Sequence, residues 1–373
     1  MKQERVFSAY QWVKLGILFS ISLIISLFSL FPEQVERLYS LGIYPALAST
    51  LRTLTRWVPF SLGDILYAWI FLLMLIGLVR LLRLLYRREL TRARLILIGF
   101  SFLSAVLWVF IVFQLMWGLN YHRLGIAYQL RINKNGYSRE EVTSLAHQLI
   151  YQLNECRRQI GDTVLPEPPL DTLYREAYRS YERVSYEYEF LHYQNRSVKP
   201  SLYSGIADYV GFTGYYNPFT GEAQLRTDLP RVLIPYITLH EMAHQLGYAS
   251  ESEANFVGFL AAMASKNVYV RYSAYLDLFS YAQGEQVRMY GKEKDYSQFE
   301  AMILQNRSLL DTLVKRDRKE IREFFYKRRN RISPAVSGLY DQYLKLNKQT
   351  EGVNSYNEVV GWLIAYQKKY GKL

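Results

Sequence analysis

The stretch PYITLHEMAHQLGYASESEAN, Pro235 to Asn255, decides how this chain reads. Pro235 suits the first turn of a helix, where its missing N–H is not needed, and Gly247 suits the place just past a helix end. They frame a helix of about three turns carrying Ile237, Leu239, His240, Met242, Ala243, His244 and Leu246. On it His240 and His244 stand one turn apart on one face, the spacing two imidazoles need to reach one tetrahedral Zn²⁺. Glu241, beside the first of them, is placed to act as general base, taking a proton from the water that attacks a carbonyl. With five His in 373 residues, a chance His-Glu-x-x-His is rare. The plain alternative is a helix that merely pairs two histidines on its polar face. Context weighs against it, because the motif follows a β-compatible stretch and is followed at once by carboxylates.

A catalytic zinc keeps three protein ligands and leaves a fourth place open. Ser250 stands where a third histidine of the pattern His-Glu-x-x-His-x-x-Gly-x-x-His would fall, although Gly247 matches the glycine of that pattern. A carboxylate is then required, and Glu251 and Glu253 are both near. Ser250 and Glu253 have capping-box spacing, which would occupy Glu253 at the start of the next helix. Glu251 is the better ligand, and Glu253 is the alternative. Here the sequence resembles the zinc peptidases of the gluzincin type, which carry His-Glu-x-x-His followed by glutamate in a Glu-x-x-Ala/Ser-Asp/Asn pattern. Glu251-Ser252-Glu253-Ala254-Asn255 matches with Glu251 in the ligand place, and the resemblance implies Asn255 as the residue that orients a zinc-bound imidazole. Only six residues separate His244 from Glu251, fewer than in most gluzincins.

A wider resemblance covers nearly the whole chain. ERLYSLGIYPALASTLRTLTRWVPFSLGDILYA, GYYNPFTGEAQL, HEMAHQLGYASESEANFVGFLAA and YDQYLKLNKQTEGVNSYNEVV are similar to the bacterial membrane-protein family called domain of unknown function 3810. That resemblance implies a zinc peptidase of three-span topology and brings no substrate with it.

Outward from the motif, the chain divides by texture. Three stretches are long and apolar enough to cross a bilayer, which takes about 20 residues: 12–31, 62–79 and 95–119. Trp12, Trp57 and Trp117, with Lys14, Arg80 and Arg94, flank them as interfacial residues do. Phe31-Pro32-Glu33-Gln34 offers no small-residue cleavage site, so the first stretch is not read as a cleaved signal. Between the second and third lie Arg80, Arg83, Arg87, Arg88, Arg92 and Arg94 against Glu89 alone. A loop so basic stays in the cytoplasm. The expectation is a membrane domain, 1–119, with a cytoplasmic N-terminus and an extracytoplasmic loop 32–60, then an extracytoplasmic metallopeptidase domain, 120–373. The single Cys156 provides no disulfide framework.

In the second region helical periodicity dominates. Ser138 and Glu141 have capping-box spacing ahead of Val142, Leu145, Leu149 and Leu153. Pro166, Pro168 and Pro169 precede a second helix expected over Leu170 to Phe190. Short β-compatible runs are expected at Ile206 to Phe212 and Glu222 to Arg226, joined by a turn at Asn217 to Gly221. Helices return after residue 250, one from Gln298 to Asn330 and a last one opened by Ser355 and Glu358. His122, His147 and His192 read as packing or surface residues. The fold class expected is mainly α: three transmembrane helices, then a helix-rich α+β zincin-like domain with a small β-sheet before the active-site helix.

The formal net charge of +12 comes partly from the arginine loop and partly from Lys315 to Arg331, with nine basic and three acidic residues. No nucleic-acid module accompanies the charge, so nucleic acid is excluded as partner; beside a bilayer, basic residues favour anionic lipid. The function expected is peptide-bond hydrolysis outside the membrane by zinc-activated water, on a peptide or protein of the cell envelope. The strand near Ala223 to Arg226 would offer an edge for an extended substrate, and a tyrosine from the later helices would stabilise the oxyanion. A catalytically inactive zinc-binding scaffold or signalling protein is the alternative, against which Glu241 speaks. A protease cutting within the bilayer is disfavoured, since Arg226, Asp228, Arg231, Glu251 and Glu253 make the motif's surroundings too polar to span.

Overall fold

The computed structural model describes residues 9–133, 136–161, 163–293, 296–347 and 358–373. It is mainly helical with one three-stranded sheet. The three apolar stretches form α1 (Ala9–Phe28), α3 (Leu62–Tyr86) and α4 (Arg92–Met116), each long and apolar enough to cross a membrane. Their most apolar stretches are only 17, 0 and 6% buried within the chain, so almost all of that apolar surface points outward. Such an area far exceeds the patches that a water-soluble monomer exposes. α1 packs along α4, with the Trp12 ring edge-on to Phe100.

The loop expected at 32–60 is itself helical. After a short turn it winds as a π-helix, Val35–Ile43, and continues as α2 (Tyr44–Thr55). Glu36 on it is buried, and its carboxylate accepts from Arg123 Nε (2.9 Å) and Nη2 (2.7 Å), the backbone N–H groups of Leu124 and Gly125, and Gln129. A buried carboxylate held by so many donors ties this segment to the chain beyond α4.

The capping box at Ser138 and Glu141 opens α5 (Arg139–Ile160), and Val142, Leu145, Leu149 and Leu153 are fully buried, as their spacing predicts. α6 (Leu170–Val184) stops short of the expected Phe190. The chain turns at Ser185 to Tyr188, which swings Leu191 and Tyr193 into the core. The sheet has the order β1 (Val198–Pro200), β3 (Glu222–Leu225), β2 (Gly214–Asn217), with β1 parallel and β2 antiparallel to β3. The turn at Asn217 to Gly221 is as expected, with Asn217 Oδ1 accepting from the N–H groups of Phe219 and Thr220. Its tightness fixes the register at Asn217 opposite Glu222, so the partner strand is the four residues just before the turn. Ile206 to Phe212, expected as a strand, therefore lies outside the ladder, and Ala207–Val210 is a short helix. β3 is central, so the expected substrate edge at Ala223 to Arg226 is closed, and β2 is an edge instead.

The motif helix is α7 (Ile234–Gln245); α8 (Glu251–Met263) and the long α9 (Val268–Glu293) pack on it. The single helix expected over Gln298 to Asn330 is two, α10 (Tyr296–Leu309) and α11 (Thr312–Lys327). Asn154 of α5 enters the break, donating to the Leu309 carbonyl (2.8 Å) and accepting from Asp311 N–H (2.9 Å). Two backbone groups left unpaired by the break are thereby satisfied. α12 (Ser333–Leu346) and α13 (Val359–Tyr370) complete the chain; the cap expected at Ser355 lies outside the described residues.

Candidate metal centre

Pro235 occupies the first turn of α7 and Gly247 lies just beyond its end at φ +87°, a left-handed conformation that favours glycine. A Cβ at Gly247 would also meet the Tyr44 ring at 2.9 Å. Every residue of α7 is buried. That fixes the two histidine side chains on a helix with little freedom to move.

His240, His244 and Glu251 come together, one ligand atom from each lying within 4.8 Å of the others. His244 Nε2 is 3.1 Å from His240 Nε2, and Glu251 Oε2 is 3.1 Å from His240 Nε2 and 3.5 Å from His244 Nε2. The far side of each ring is occupied. His244 Nδ1 lies 2.7 Å from the Tyr248 carbonyl, which accepts only, so this nitrogen carries the proton. His240 Nδ1 lies 2.8 Å from Asn255 Oδ1, the residue expected to orient it. With both rings neutral, as metal binding requires, the two Nε2 atoms would turn lone pairs toward each other and toward the carboxylate. Two imidazoles and a carboxylate converging so closely call for positive charge between them, a proton on His244 or a metal cation, and two imidazoles plus one carboxylate is a donor set that suits Zn²⁺.

The electrostatics carry the same demand. Burial works against a charged His244, but the Glu251 carboxylate outweighs it and pushes the imidazole up to about 9. Burial alone would raise Glu251; the two imidazoles reverse that and hold it well below the usual carboxylate range. Glu241 is the second carboxylate at the site. Burial pushes it up to about 6, with His240 and His244 pulling the other way, and its Oε2 is buried without a hydrogen-bond partner. Gly214, at the start of β2, lies against it, and a Cβ there would come within 2.7 Å of Glu241 Oε1.

Glu253, the alternative third ligand, is turned elsewhere. It does not cap at Ser250, whose side chain makes no cap bond; its Oε1 accepts from Ile126 N–H at 2.8 Å. His122, His147 and His192 are not part of the cluster.

A cavity of about 890 Å³ opens on His240 and Glu241. Apolar and aromatic residues form most of its wall, including Tyr67, Phe212, Ile237 and Phe325, with Asn255, Asp277 and Tyr281 as polar points. Tyr281, on α9, is the lining tyrosine from a later helix.

The model of the family described as "Protein of unknown function (DUF3810)" matches residues 39–364. The chain belongs to that family. Neither the curated proteins nor the solved structures contain a match.

Sequence reasoning missed what holds this DUF3810 site from behind. At the end of α7 the carbonyls run out of intrahelical donors; Gly247 N–H reaches the His244 carbonyl at 2.9 Å, and residues far away in sequence add donors to His244, Gln245 and Gly247. Trp117 Nε1 donates to the His244 carbonyl (3.2 Å), Arg52 Nη1 to Gln245 (3.0 Å), Tyr44 Oη to Gln245 (3.2 Å), and Arg123 Nη1 to Gly247 (3.2 Å). The Trp117 ring also lies edge-on to His244. Arg52 and Tyr44 come from α2 and Trp117 from the end of α4, so the N-terminal region completes the site.

Asp277 was also missed, since a lone Asp on an amphipathic helix gives no signal. Burial pushes its carboxyl up to about 7, the charge of His240 opposing. An unfolded Asp titrates near 3.9. Between those values the folded chain keeps a proton that the unfolded chain has lost, so stability falls as pH rises through that window and stays reduced above 7. Asp277→Asn is expected to raise the stability of the metal-free protein at pH 8, by at most about 4 kcal/mol, and far less at pH 5. Thermal melts in detergent at the two pH values check this; a gain of equal size at both contradicts it.

Proposed function

We propose that this chain is a membrane-embedded zinc metallopeptidase of gluzincin type, its soluble part facing the extracytoplasmic side. The reading is carried by three converging ligand atoms, His240 Nε2, His244 Nε2 and Glu251 Oε2, with Glu241 beside them. Zinc held there would supply Lewis acidity to the scissile carbonyl and to the attacking water. Glu241 takes the proton. Burial raises its carboxyl to about 6 in the metal-free chain, and a dication beside it would draw it down again, so it is ionised at neutral pH and free to accept. Tyr281, kept protonated by burial, is the candidate donor to the developing oxyanion.

Substrate binding has its own support. β2 is an edge of the sheet, and Gly214 at its start lies against Glu241, so an extended peptide adding along β2 would bring a backbone carbonyl near the base. The cavity volume suits a few side chains, and its apolar lining favours large apolar ones. The arginines between α3 and α4 support a cytoplasmic loop there, and with it an external site.

Metal removal tests the reading. The full chain in detergent is expected to hydrolyse members of a mixed peptide pool, to lose at least about a hundredfold in rate on chelation, and to recover with one equivalent of zinc. Hydrolysis indifferent to the chelator contradicts it, and zinc retention without hydrolysis of any peptide favours the inactive scaffold.

A further inference from the structure

The cavity is not remote from the apolar helices; one of them forms part of it. The first turn of α3 is fastened to the sheet with no linker between. The buried Glu222 of β3 accepts from the N–H groups of Leu62 (3.2 Å) and Gly63 (2.6 Å). Asp64 accepts from Leu202 N–H (2.7 Å) and Tyr215 Oη (2.5 Å), and its own carbonyl accepts from Tyr203 Oη (2.6 Å). Gly63 is pressed so closely on the sheet that a Cβ would lie 2.6 Å from both Asn217 and Gln224. Tyr67, about one turn further along α3, lines the cavity together with His240 and Glu241.

Around the mouth the surface is apolar. Ile206 and Val210 line the cavity yet are 50 and 43% exposed, and Leu202 and Tyr209 beside them are 55 and 48% exposed. Just ahead of α3, Trp57 and Phe60 are exposed as well. Aromatic and apolar residues grouped at the end of a membrane-crossing helix mark the level where bilayer meets water. The segment 202–210 is bonded to Asp64 through Leu202 N–H and Tyr203 Oη, so its exposed apolar residues share that level with the first turn of α3.

Resting on the peptidase reading, we propose that the cavity opens along the bilayer surface and takes the membrane-proximal segment of a polypeptide that is itself anchored in the bilayer. A polypeptide emerging from lipid beside α3 presents its first extended residues at the height of β2. At about 3.3 Å per extended residue, a short run of chain beyond the anchor covers the way from the lipid to Glu241. The rim residues Leu202 and Tyr209 rest in the interface and exclude approach from below the cleft.

The test uses the full chain in liposomes. A peptide selected on the detergent-solubilised enzyme is fused to one apolar helix through spacers of about 4 or about 25 residues, and both are anchored at equal density in the same bilayer. The longer spacer alone dilutes the peptide near the surface, so a variant of the rim separates that effect from seating at the rim. The short-spacer substrate is expected to be cleaved at least ten times faster, and Leu202→Ser with Tyr209→Ser is expected to remove most of that advantage while leaving cleavage of the free peptide in detergent unchanged. A spin label at Tyr209→Cys in a Cys156→Ala background is expected to report lipid contact. Equal or faster cleavage with the long spacer, or a label fully in water, overturns the inference and leaves the peptidase reading standing. Absence of hydrolysis of any substrate overturns both.

Discussion

Glu241→Gln is expected to leave zinc bound at one per chain and to lower kcat/KM at least about a thousandfold, within the range attributed to general acid–base catalysis. The substitution keeps the side chain's size, which matters because Gly214 packs directly on the Glu241 carboxyl and a larger group would displace β2. It also keeps the cage, since Glu241 is not among the three residues that converge. What it removes is the proton acceptor. Oε2 of Glu241 is buried and has no hydrogen-bond partner, so the glutamate makes no bond there whose loss would unsettle the fold. Undiminished hydrolysis in this variant contradicts the role assigned to Glu241, and loss of zinc together with activity would make it a ligand instead.

The site was legible where its geometry is local. Pro235 and Gly247 framed a helix, the four-residue interval put His240 and His244 on one face, and the start of α8 placed Glu251 and Asn255 within reach. Where spacing alone has two meanings, contacts made elsewhere decided. Ser250 and Glu253 have the interval of a capping box, but the Ile126 N–H, far off in sequence, takes the Glu253 carboxylate. The β-branched and aromatic content of Ile206 to Phe212 suggested a strand, and the register of the Asn217 turn left it unpaired. The apolar periodicity from Gln298 to Asn330 runs unbroken, and the side chain that breaks it, Asn154, belongs to another helix.

The same limit hid the support behind the metal cluster. Nothing near Tyr44, Arg52 or Trp117 in the sequence announces that they will donate to the carbonyls of α7. Their positions have a practical consequence. A fragment beginning near Asn120 lacks three of the donors that hold the end of the motif helix, so the full chain is the proper object for metal analysis.

The central claim is that His240, His244 and Glu251 hold one zinc ion. Removing any one leaves two ligands, too few for the three-ligand centre of a catalytic site. His240→Ala also frees Asn255, and Glu251→Ala leaves two imidazoles without the carboxylate that raises His244. Glu253→Gln touches none of this. The most direct measurement is the zinc content of the purified full chain and of these three variants after dialysis against trace zinc. One zinc per chain in the parent and in Glu253→Gln, and none in His240→Ala and Glu251→Ala, is the predicted result. Unchanged zinc in both His240→Ala and Glu251→Ala, or its loss in Glu253→Gln alone, would contradict the site.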